Sequence, residues 1–322
     1  MDGEVLHAYV NGEFVPEDEA KVSVFDRAFR SGDHVYEVQR TFNGRLHGLD
    51  GHMRRLFKAL HYTRIDPRLT PEELGTATAK LVEHNARVAG PDLDLVSCQI
   101  ITRGNTKNLL SGPPTVIIYT QLLDMSTLAR TYLLGKRLIT PGVQRVPAAA
   151  LTPRVKIANK MSLMLAWLEV MALDPEAQAL VLDQHGNVTT CAPGSGFLFA
   201  TDGVIHVPNR RNTLDSSAMG FTLELAARLG IEIREGDYTT FDVYSADEAF
   251  TTNTKDCIVP VSTLNGLAIG TGRPGPMYRR LVTAWSEAVG VDIVGRAVGL
   301  LPAAEREALL ESARSTQAME ES

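Results

Sequence analysis

The stretch TPRVKIANKMSLMLAWLEV, residues 152–170, decides how the rest of the chain is interpreted. A proline ends the preceding strand, Lys156 lies between the β-branched residues Val155 and Ile157, and an amphipathic helix is predicted just after them. Because side chains alternate along a strand, we expect Lys156 to point away from its apolar neighbours into whatever cavity the sheet and helix enclose. Burial there disfavours the ammonium form and makes the amine available for Schiff-base chemistry. The alternative is a strand-edge lysine that extends to solvent.

Length and composition around this stretch are those of an ordinary globular chain. The 322 residues predict about two domains, with 44% hydrophobic and 22% charged residues. Lys plus Arg number 32 and Asp plus Glu 38, which gives a net charge of −6. A mildly acidic chain without a basic block argues against nucleic-acid binding. Only eight lysines are present, which limits the amines available as a nucleophile.

The cysteines and the first residues predict the compartment. Cys98, Cys191 and Cys257 are far apart and show no CxxC spacing, so we expect neither a metal site nor a disulfide framework. Residues 1–20 are acidic and lack an apolar signal region, and no apolar run is long enough to span a membrane. These features predict a cytoplasmic, soluble protein.

Secondary-structure patterns divide the chain in two. Residues 1–123 are predicted as an α+β domain with two Asn-Gly hairpins, two helices and two apolar strands, at 6–15, 35–49, 51–62, 70–89, 95–104 and 114–123. The pattern weakens over 124–133, which we predict to be an interdomain linker. Residues 134–302 form the predicted second domain and 303–322 an acidic tail with a frayed helix.

The second domain mixes strands with helices. Strand material is predicted as far as Ala149, followed by a helix over 159–173 and three strand segments at 179–184, 196–208 and 247–253. A further helix over 216–230 ends at Gly230, a typical helix terminator.

Lys156-x-x-Asn159, followed by a helix and LVLDQHGNVT, resembles the cofactor-lysine region of the class IV (fold type IV) aminotransferases. That family includes branched-chain and D-amino-acid aminotransferases, (R)-selective amine transaminases and aminodeoxychorismate lyase. Four other segments resemble family blocks in the same order: VSVFDRAFRSGDHVYEV (22–38), GLDGHMRRLFKAL (48–60), ATDGVIHVPNRRNTL (200–214) and ADEAFTTNTKDCIVPVSTLNG (246–266).

The resemblance implies an α/β (α+β) protein with the two-domain fold of a fold type IV enzyme that depends on pyridoxal phosphate (PLP). The smaller N-terminal domain is α+β, and the larger C-terminal domain is a mixed, barrel-like sheet with helices. The implied activity moves an amino group between an amino acid or amine and a 2-oxo acid. Family members pair as homodimers, which this sequence neither proves nor contradicts.

Carried over by residue, the resemblance implies that Lys156 forms the Schiff base with PLP. Arg55 falls on the family's phosphate-binding arginine, and Thr254 falls on its hydroxyl and amide donor, with Asn253 just before it. Ser216 and Ser217 open the helix that faces the phosphate in the family. Viewed without the family, Arg55 is a solvated helix residue and the two serines are an ordinary helix cap.

Four residues are implied to contact the substrate. Tyr36 matches an aromatic residue of the pocket wall, and Phe29 and Arg30 occupy positions where substrate contacts vary. Arg103 lies near the substrate loop of the family and is a candidate to receive a carboxylate. The alternatives are core packing for Tyr36 and a solvated loop position for Arg103.

The sequence departs from the family at the partner of the pyridine nitrogen. A glutamate is expected there, but alignment from the left places Thr190 at this position and alignment from the right places Cys191. A carboxylate stabilises the pyridinium by charge pairing, whereas Thr or Cys offers a neutral hydrogen bond. Two smaller departures are the serine-rich phosphate loop and the pair Lys255-Asp256, where the family prefers small residues.

These departures leave three functions open. The protein is either a PLP-dependent aminotransferase with a weakened electron sink, a lyase resembling aminodeoxychorismate lyase, or a divergent member that no longer uses PLP. The retained residues Lys156, Asn159, Arg55 and Thr254 favour the use of PLP.

Overall fold

The computed structural model describes residues 5–90, 93–110 and 112–318, which form two compact units. The first unit contains the chain up to Leu123 together with Val155–Asn159. The second contains Asp124–Arg154 and the chain from Lys160 onward. The segment predicted to carry the reactive lysine therefore belongs to the first unit, although the chain on both sides of it belongs to the second.

The first unit is a six-stranded antiparallel sheet with helices. Its elements are β1 (His7–Val10), β2 (Glu13–Pro16), α1 (Arg27–Ser31), β3 (His34–Phe42), β4 (Arg45–Leu46), α2 (Leu49–Thr63), α3 (Pro71–Ala89), β5 (Leu95–Thr102) and β6 (Thr115–Leu122). The strand order is β2-β1-β6-β5-β3-β4. A buried cluster of side chains from α2, α3 and the sheet forms its core.

Local sequence explains the ends of these elements. Asn11 and Asn43 both adopt φ 51°, the left-handed conformation that an Asn-Gly hairpin turn requires. Thr70 caps α3, because its hydroxyl accepts from the Glu73 N–H while the Glu73 carboxylate accepts from the Thr70 N–H. The predicted hairpins, helices and strands of this half are confirmed.

Residues Val155–Asn159 run antiparallel to the free edge of β3. The Tyr36 N–H donates to the Lys156 carbonyl at 3.2 Å, and Val35 and Ile157 form a β-bridge. Val155 and Ile157 pack against the core of the first unit. Since side chains alternate along an extended segment, Lys156 projects from the opposite face.

The second unit is built around a mixed sheet. Its strands are β7 (Lys136–Ile139), β8 (Gln178–Leu182), β9 (Val188–Ala192), β10 (Ser195–Thr201), β11 (Val204–Pro208), β12 (Ile233–Gly236), β13 (Glu248–Asn253), β14 (Cys257–Leu264) and β15 (Leu267–Ala268). Its helices are α4 (Met125–Leu134), α5 (Met161–Met171), α6 (Ser217–Arg228), α7 (Thr240–Tyr244), α8 (Pro276–Val289), α9 (Ile293–Gly299) and α10 (Ala303–Ala318).

Six strands close into a barrel in the order β10-β13-β14-β7-β8-β9, because β9 also pairs with β10. All six contribute apolar side chains to one buried cluster, which is the barrel interior. Helix α5 covers the outer face of β8 and β9, where it packs on a second apolar cluster. This architecture confirms the barrel-like C-terminal domain that the resemblance implied.

The structure differs from the sequence-based expectation in the predicted linker, in the strand predicted to reach Ala149, and in strands β9 and β14, which were not predicted. The segment predicted as a linker is helix α4, begun by Asp124, whose carboxylate accepts from the N–H groups of Ser126 and Thr127. The strand predicted to reach Ala149 is only β7, because the loop after it contains prolines that remove backbone donors. In the predicted tail, α10 extends to Ala318, and residues 319–322 lie outside the described residues.

No helix among residues 5–90, 93–110 and 112–318 is long and apolar enough to cross a lipid bilayer.

Candidate functional site

Lys156 is half-buried and contacts Tyr36 on the neighbouring strand. Its Nζ donates to the Tyr36 Oη at 3.2 Å and lies 4.2 Å from the centre of the Tyr36 ring. The two residues are cross-strand partners, since Tyr36 also bonds to the Lys156 carbonyl. Tyr36 therefore holds the amine in one position. It does so by direct contact with Lys156, a role that the sequence alone did not indicate.

The Tyr36 phenol is kept in its protonated form. Burial raises the pKa of Tyr36 well above its ordinary value, and the neighbouring Cys98 and Glu37 add to the effect. A neutral phenol can accept a hydrogen bond from the Lys156 amine and still offer its own hydrogen.

Glu37, the next residue of β3, points to the opposite face and holds Arg55 of α2. The Arg55 Nε donates to Glu37 Oε2 at 2.8 Å and its Nη2 donates to Oε1 at 2.6 Å, while His52 Nδ1 lies 3.1 Å from Oε1. Burial by itself would raise the pKa of Glu37, but the charge of Arg55 and the bonds from His52 and Arg55 hold it well below its ordinary value. Two guanidinium N–H groups of Arg55 are thus committed to a buried carboxylate.

Arg103 is held by an acid and by backbone carbonyls. Its guanidinium donates to both carboxylate oxygens of Asp33, and to the carbonyls of Arg64, Leu109 and Thr63. Arg27 also donates to Asp33, at 2.8 Å. These bonds tie the loop after β5 to the ends of α1 and α2, and they occupy the donors that a substrate carboxylate would need.

Two other residues of the sequence prediction lie on α1. Phe29 is 78% exposed and Arg30 is also exposed, so both side chains are accessible to a ligand. Gly32 ends α1 with φ 64°, and a Cβ there would lie 1.8 Å from Asn159 Oδ1. Asn159 of the Lys-x-x-Asn motif therefore packs directly on the glycine backbone.

In the second unit, Thr190 and Cys191 point to opposite faces of β9. Cys191 lies in the barrel interior with no exposed surface, and burial raises its pKa to about 12, so it is a neutral thiol. Thr190 pairs with Val181 on the face that packs against α5, and its hydroxyl donates to the Ser195 carbonyl at 2.7 Å. Of the two aligned residues, Cys191 is therefore closed inside the barrel, whereas Thr190 lies on the outer face of β9.

Asn253 and Thr254 lie in the turn between β13 and β14. The Asn253 side chain is engaged on all sides: its Oδ1 accepts from the N–H groups of Lys255 and Asp256, and its Nδ2 donates to Ser195 and Asp256. Asn253, predicted to bind the cofactor, thus has its polar atoms turned into the protein. Thr254 is half-buried beside it.

Ser216 and Ser217 begin α6 as predicted. Ser216 is the N-cap, and its hydroxyl accepts from the Met219 N–H at 3.3 Å. The remaining N–H groups of the first turn have no partner within the helix, so this end can attract an anion.

The profile of the amino-transferase class IV family matches residues 34–264, which span both units. The chain belongs to the class IV aminotransferase family. The match begins at β3, which carries Tyr36 and Glu37, and ends with β14. The family assigns this protein to the transferases.

Relatives and solved structures that are similar to this chain belong to the same family. A putative branched-chain-amino-acid aminotransferase of Methanocaldococcus jannaschii is 32% identical over 282 residues, which cover 86% of this chain and 94% of the relative. A D-alanine aminotransferase of Bacillus licheniformis is 29% identical over 283 residues, covering 87% and 95%. The crystal structure of a T.th. branched-chain amino acid aminotransferase with pyridoxamine 5'-phosphate superposes with a TM-score of 0.80 at 27% identity, covering 91% of this chain and 95% of that one.

Sequence reasoning assigned no role to Glu37, His52, Lys136 or Asp256. Glu37 and His52 lie inside segments that resemble family blocks. The signal that could have indicated Glu37 is an acid next to an aromatic residue on a strand. Lys136 and Asp256 are joined only by the barrel, so no local pattern indicated them. Within the described ranges, no group of three His, Cys, Asp or Glu residues is placed to hold a metal ion.

The residues present suit the aldehyde and phosphate ends of a pyridoxal cofactor. Within the first unit, the Lys156 amine held by a phenol suits the aldehyde of the cofactor. Within the second unit, considered by itself, the N-terminus of α6 and the Thr254 hydroxyl suit a phosphate group. Thr190, one of the two residues that alignment places at the family's glutamate position, offers lone pairs and no negative charge.

Proposed function

We propose that this protein is a PLP-dependent aminotransferase that moves an amino group between an amino acid or amine and a 2-oxo acid through a Schiff base at Lys156. The observation that carries the proposal is the half-buried Lys156 amine, held at 3.2 Å by Tyr36 on a strand whose other face is packed in a core. When bound, PLP supplies a carbonyl that condenses with amines and a ring that withdraws electrons.

Lys156 is the proposed nucleophile and proton carrier. As an unprotonated amine it can take a proton from the carbon that bears the substrate amino group and hold that proton on Nζ. Tyr36 limits the positions of Nζ, and its high pKa keeps it a neutral hydrogen-bond partner throughout. Orientation of this kind lowers the barrier because the amine is already placed for transfer.

The proposed phosphate donors are Arg55, Thr254 and the first turn of α6. Arg55 is oriented by Glu37 through two hydrogen bonds, so its guanidinium plane is set before any ligand arrives. Ser216 and Ser217 add hydroxyl groups beside the amides at the start of α6. The pyridine-nitrogen site lacks the usual glutamate, and Thr190 is its proposed neutral replacement.

The amino donor belongs to the substrates named for the relatives. Branched-chain L-amino acids and D-alanine are the proposed test donors, because the relatives act on one or the other by name. Phe29 and Arg30 are exposed on α1 and are the proposed variable contacts of the substrate side chain. Arg103 is proposed to act indirectly, by fixing the loop after β5.

The test uses purified protein with added PLP, and the visible spectrum before and after borohydride reduction. We expect an absorption band that reduction converts into a covalent adduct on Lys156, located by peptide mass spectrometry. Lys156→Ala is expected to lose the adduct, and Lys160→Ala, which removes the next lysine in sequence, is expected to keep it.

Absence of the band, or an adduct that persists in Lys156→Ala, would contradict the use of PLP. Turnover then separates the remaining activities. An aminotransferase needs a 2-oxo acid acceptor for net product, whereas pyruvate release without any acceptor would identify the lyase instead.

A further inference from the structure

Polar residues gather at one end of the barrel in the second unit. Lys136 begins β7, Ser195 begins β10 and Asn253 ends β13. Each lies two or four residues from an interior residue of the same strand, Leu138, Phe197 and Ala249 respectively, so each faces the barrel interior.

A buried ion pair closes this end. Lys136 Nζ donates to Asp256 Oδ2 at 2.5 Å, and the side chains are only 6% and 15% exposed. The same carboxylate oxygen accepts from Asn253 Nδ2 at 2.8 Å. Asp256 therefore joins β7 to the turn between β13 and β14, although no sequence pattern pointed to a partner for it.

The Lys136–Asp256 ion pair determines the direction of the backbone N–H groups in the turn between β13 and β14. Asn253 Oδ1 accepts from the N–H groups of Lys255 at 2.7 Å and Asp256 at 2.9 Å, so neither amide faces outward. Cys257 follows with φ 61°, a left-handed conformation that a non-glycine residue adopts only where its surroundings hold it. Thr254 lies between these anchored positions in the turn.

The network also reaches β9. Asn253 Nδ2 donates to Ser195 Oγ at 3.0 Å, and the Ser195 carbonyl accepts from Thr190. A chain of hydrogen bonds thus runs from Lys136 through Asp256, Asn253 and Ser195 to Thr190.

We propose that Asp256 is a positioning residue: held by Lys136, it orients Asn253 and thereby presents Thr254 to the phosphate of the cofactor. The inference rests on the proposed function, in which Thr254 contacts that phosphate. Asp256 itself does not touch the ligand, since its carboxylate is directed at Lys136 and Asn253. A charged acceptor is suited to this task, because hydrogen bonds to an ionised group are shorter and stronger than neutral ones.

The experiment compares the affinity of the apoprotein for PLP with its affinity for pyridoxal, which lacks the phosphate. The ratio of the dissociation constant of pyridoxal to that of PLP isolates the contribution of the phosphate site. In Asp256→Ala we expect PLP binding to weaken about tenfold, the effect of one charged hydrogen bond, while pyridoxal binding is unchanged. A purely structural role would weaken both ligands equally, and that result would overturn the inference.

Further variants keep the test decisive. Asp256→Asn keeps an oxygen for Asn253 and should recover most of the ratio, and it replaces Asp256→Ala if that variant does not fold. Thr254→Val should lower the ratio as Asp256→Ala does, and the double variant should lose no more than either alone, because both act through one contact. Asp237→Ala removes an exposed acid paired with Arg211 and should change nothing.

The outcomes distinguish a failure of the proposed function from a failure of the positioning role of Asp256. If the wild-type apoprotein does not bind PLP, the proposed function fails. If it binds PLP and Asp256→Ala keeps the wild-type ratio, only the positioning role fails. Additive losses in the double variant also count against that role.

Discussion

The hydroxyl of Thr190 has its hydrogen committed to the Ser195 carbonyl at 2.7 Å, which leaves only lone pairs to face a ligand. A group that bonds to Thr190 must therefore carry its own hydrogen. A neutral oxygen stabilises a protonated ring nitrogen less than a carboxylate does, since it lacks the Coulombic attraction. At the scale of one residue, the proposed replacement of the family's glutamate by Thr190 is the clearest chemical departure from the family pattern.

The first prediction concerns this position. Thr190→Glu restores an acid, and we expect the bound cofactor nitrogen to become protonated and the transamination rate to rise about tenfold, equivalent to about 1.4 kcal/mol in the barrier. The measurements are the ¹⁵N chemical shift of labelled PLP and kcat with D-alanine or L-leucine. Thr190→Gln is the matched control, because it has the same shape without the charge. Equal behaviour of the two variants would show that charge at this position is irrelevant.

At the scale of elements, β3 separates two functions on its two faces. Tyr36 contacts the lysine on one face, and Glu37 binds α2 through Arg55 and His52 on the other. Neighbouring residues of a strand point in opposite directions. Strand β3 therefore fixes the position of the reactive amine with one face and the position of α2 with the other. The Glu37–Arg55 ion pair joins β3 to α2, and the side chain of its acid has no exposed surface.

The second prediction follows from this ion pair. Glu37→Gln leaves Arg55 without its buried counter-charge, and we expect the free energy of unfolding at neutral pH to fall by about 3 kcal/mol. The measurement is chemical denaturation. Glu232→Gln, which removes an exposed acid paired with Arg234, is the control and should cost under about 1 kcal/mol.

The same variant tests the pKa of Glu37. Its folded-state pKa is lowered, so its contribution to stability is fully present above the unfolded value of about 4.3 and is lost as pH falls from there through the folded value. We therefore expect Glu37→Gln to flatten the loss of stability between about pH 5 and about pH 2 relative to wild type. An unchanged acid limb of the stability curve would mean that Glu37 does not have the lowered pKa.

At the scale of the whole molecule, α5 presents an apolar stripe to solvent. Met161, Leu165 and Leu168 recur at helical spacing and are 73%, 50% and 56% exposed. Exposed apolar stripes of this kind are typical of subunit interfaces. We propose that the stripe packs against a second copy of the chain, in the homodimer that the resemblance implies.

The third prediction tests this assembly. Leu168→Asp is expected to shift the protein from dimer to monomer, because a charge within an apolar interface is costly to bury. Light scattering after gel filtration gives the mass. Phe241→Asp alters an even more exposed apolar residue, on α7, and should leave the dimer intact. A monomeric wild-type protein would refute the proposal outright.

The local elements of the first unit were accessible from sequence because short-range signals specify them. Asn-Gly turns, the Thr70 capping box and the Val-Lys-Ile alternation all act within a few residues. Helix α4 was missed because its apolar positions span only ten residues. Strands β9 and β14 were missed because they are buried on both faces, so their sequences show no alternation of polar and apolar residues.

The ordered motifs of the sequence by itself indicated the family by resemblance, and that resemblance implied the barrel-like second domain and the role of Lys156. Only the tertiary structure decided that Tyr36 holds the amine, that Cys191 is shut inside the barrel and that Lys136 neutralises Asp256. The physical reason is that burial and hydrogen-bond partners arise from side chains far apart along the chain, 120 residues in the case of Lys136 and Asp256. Residue type and local spacing do not specify contacts of that range.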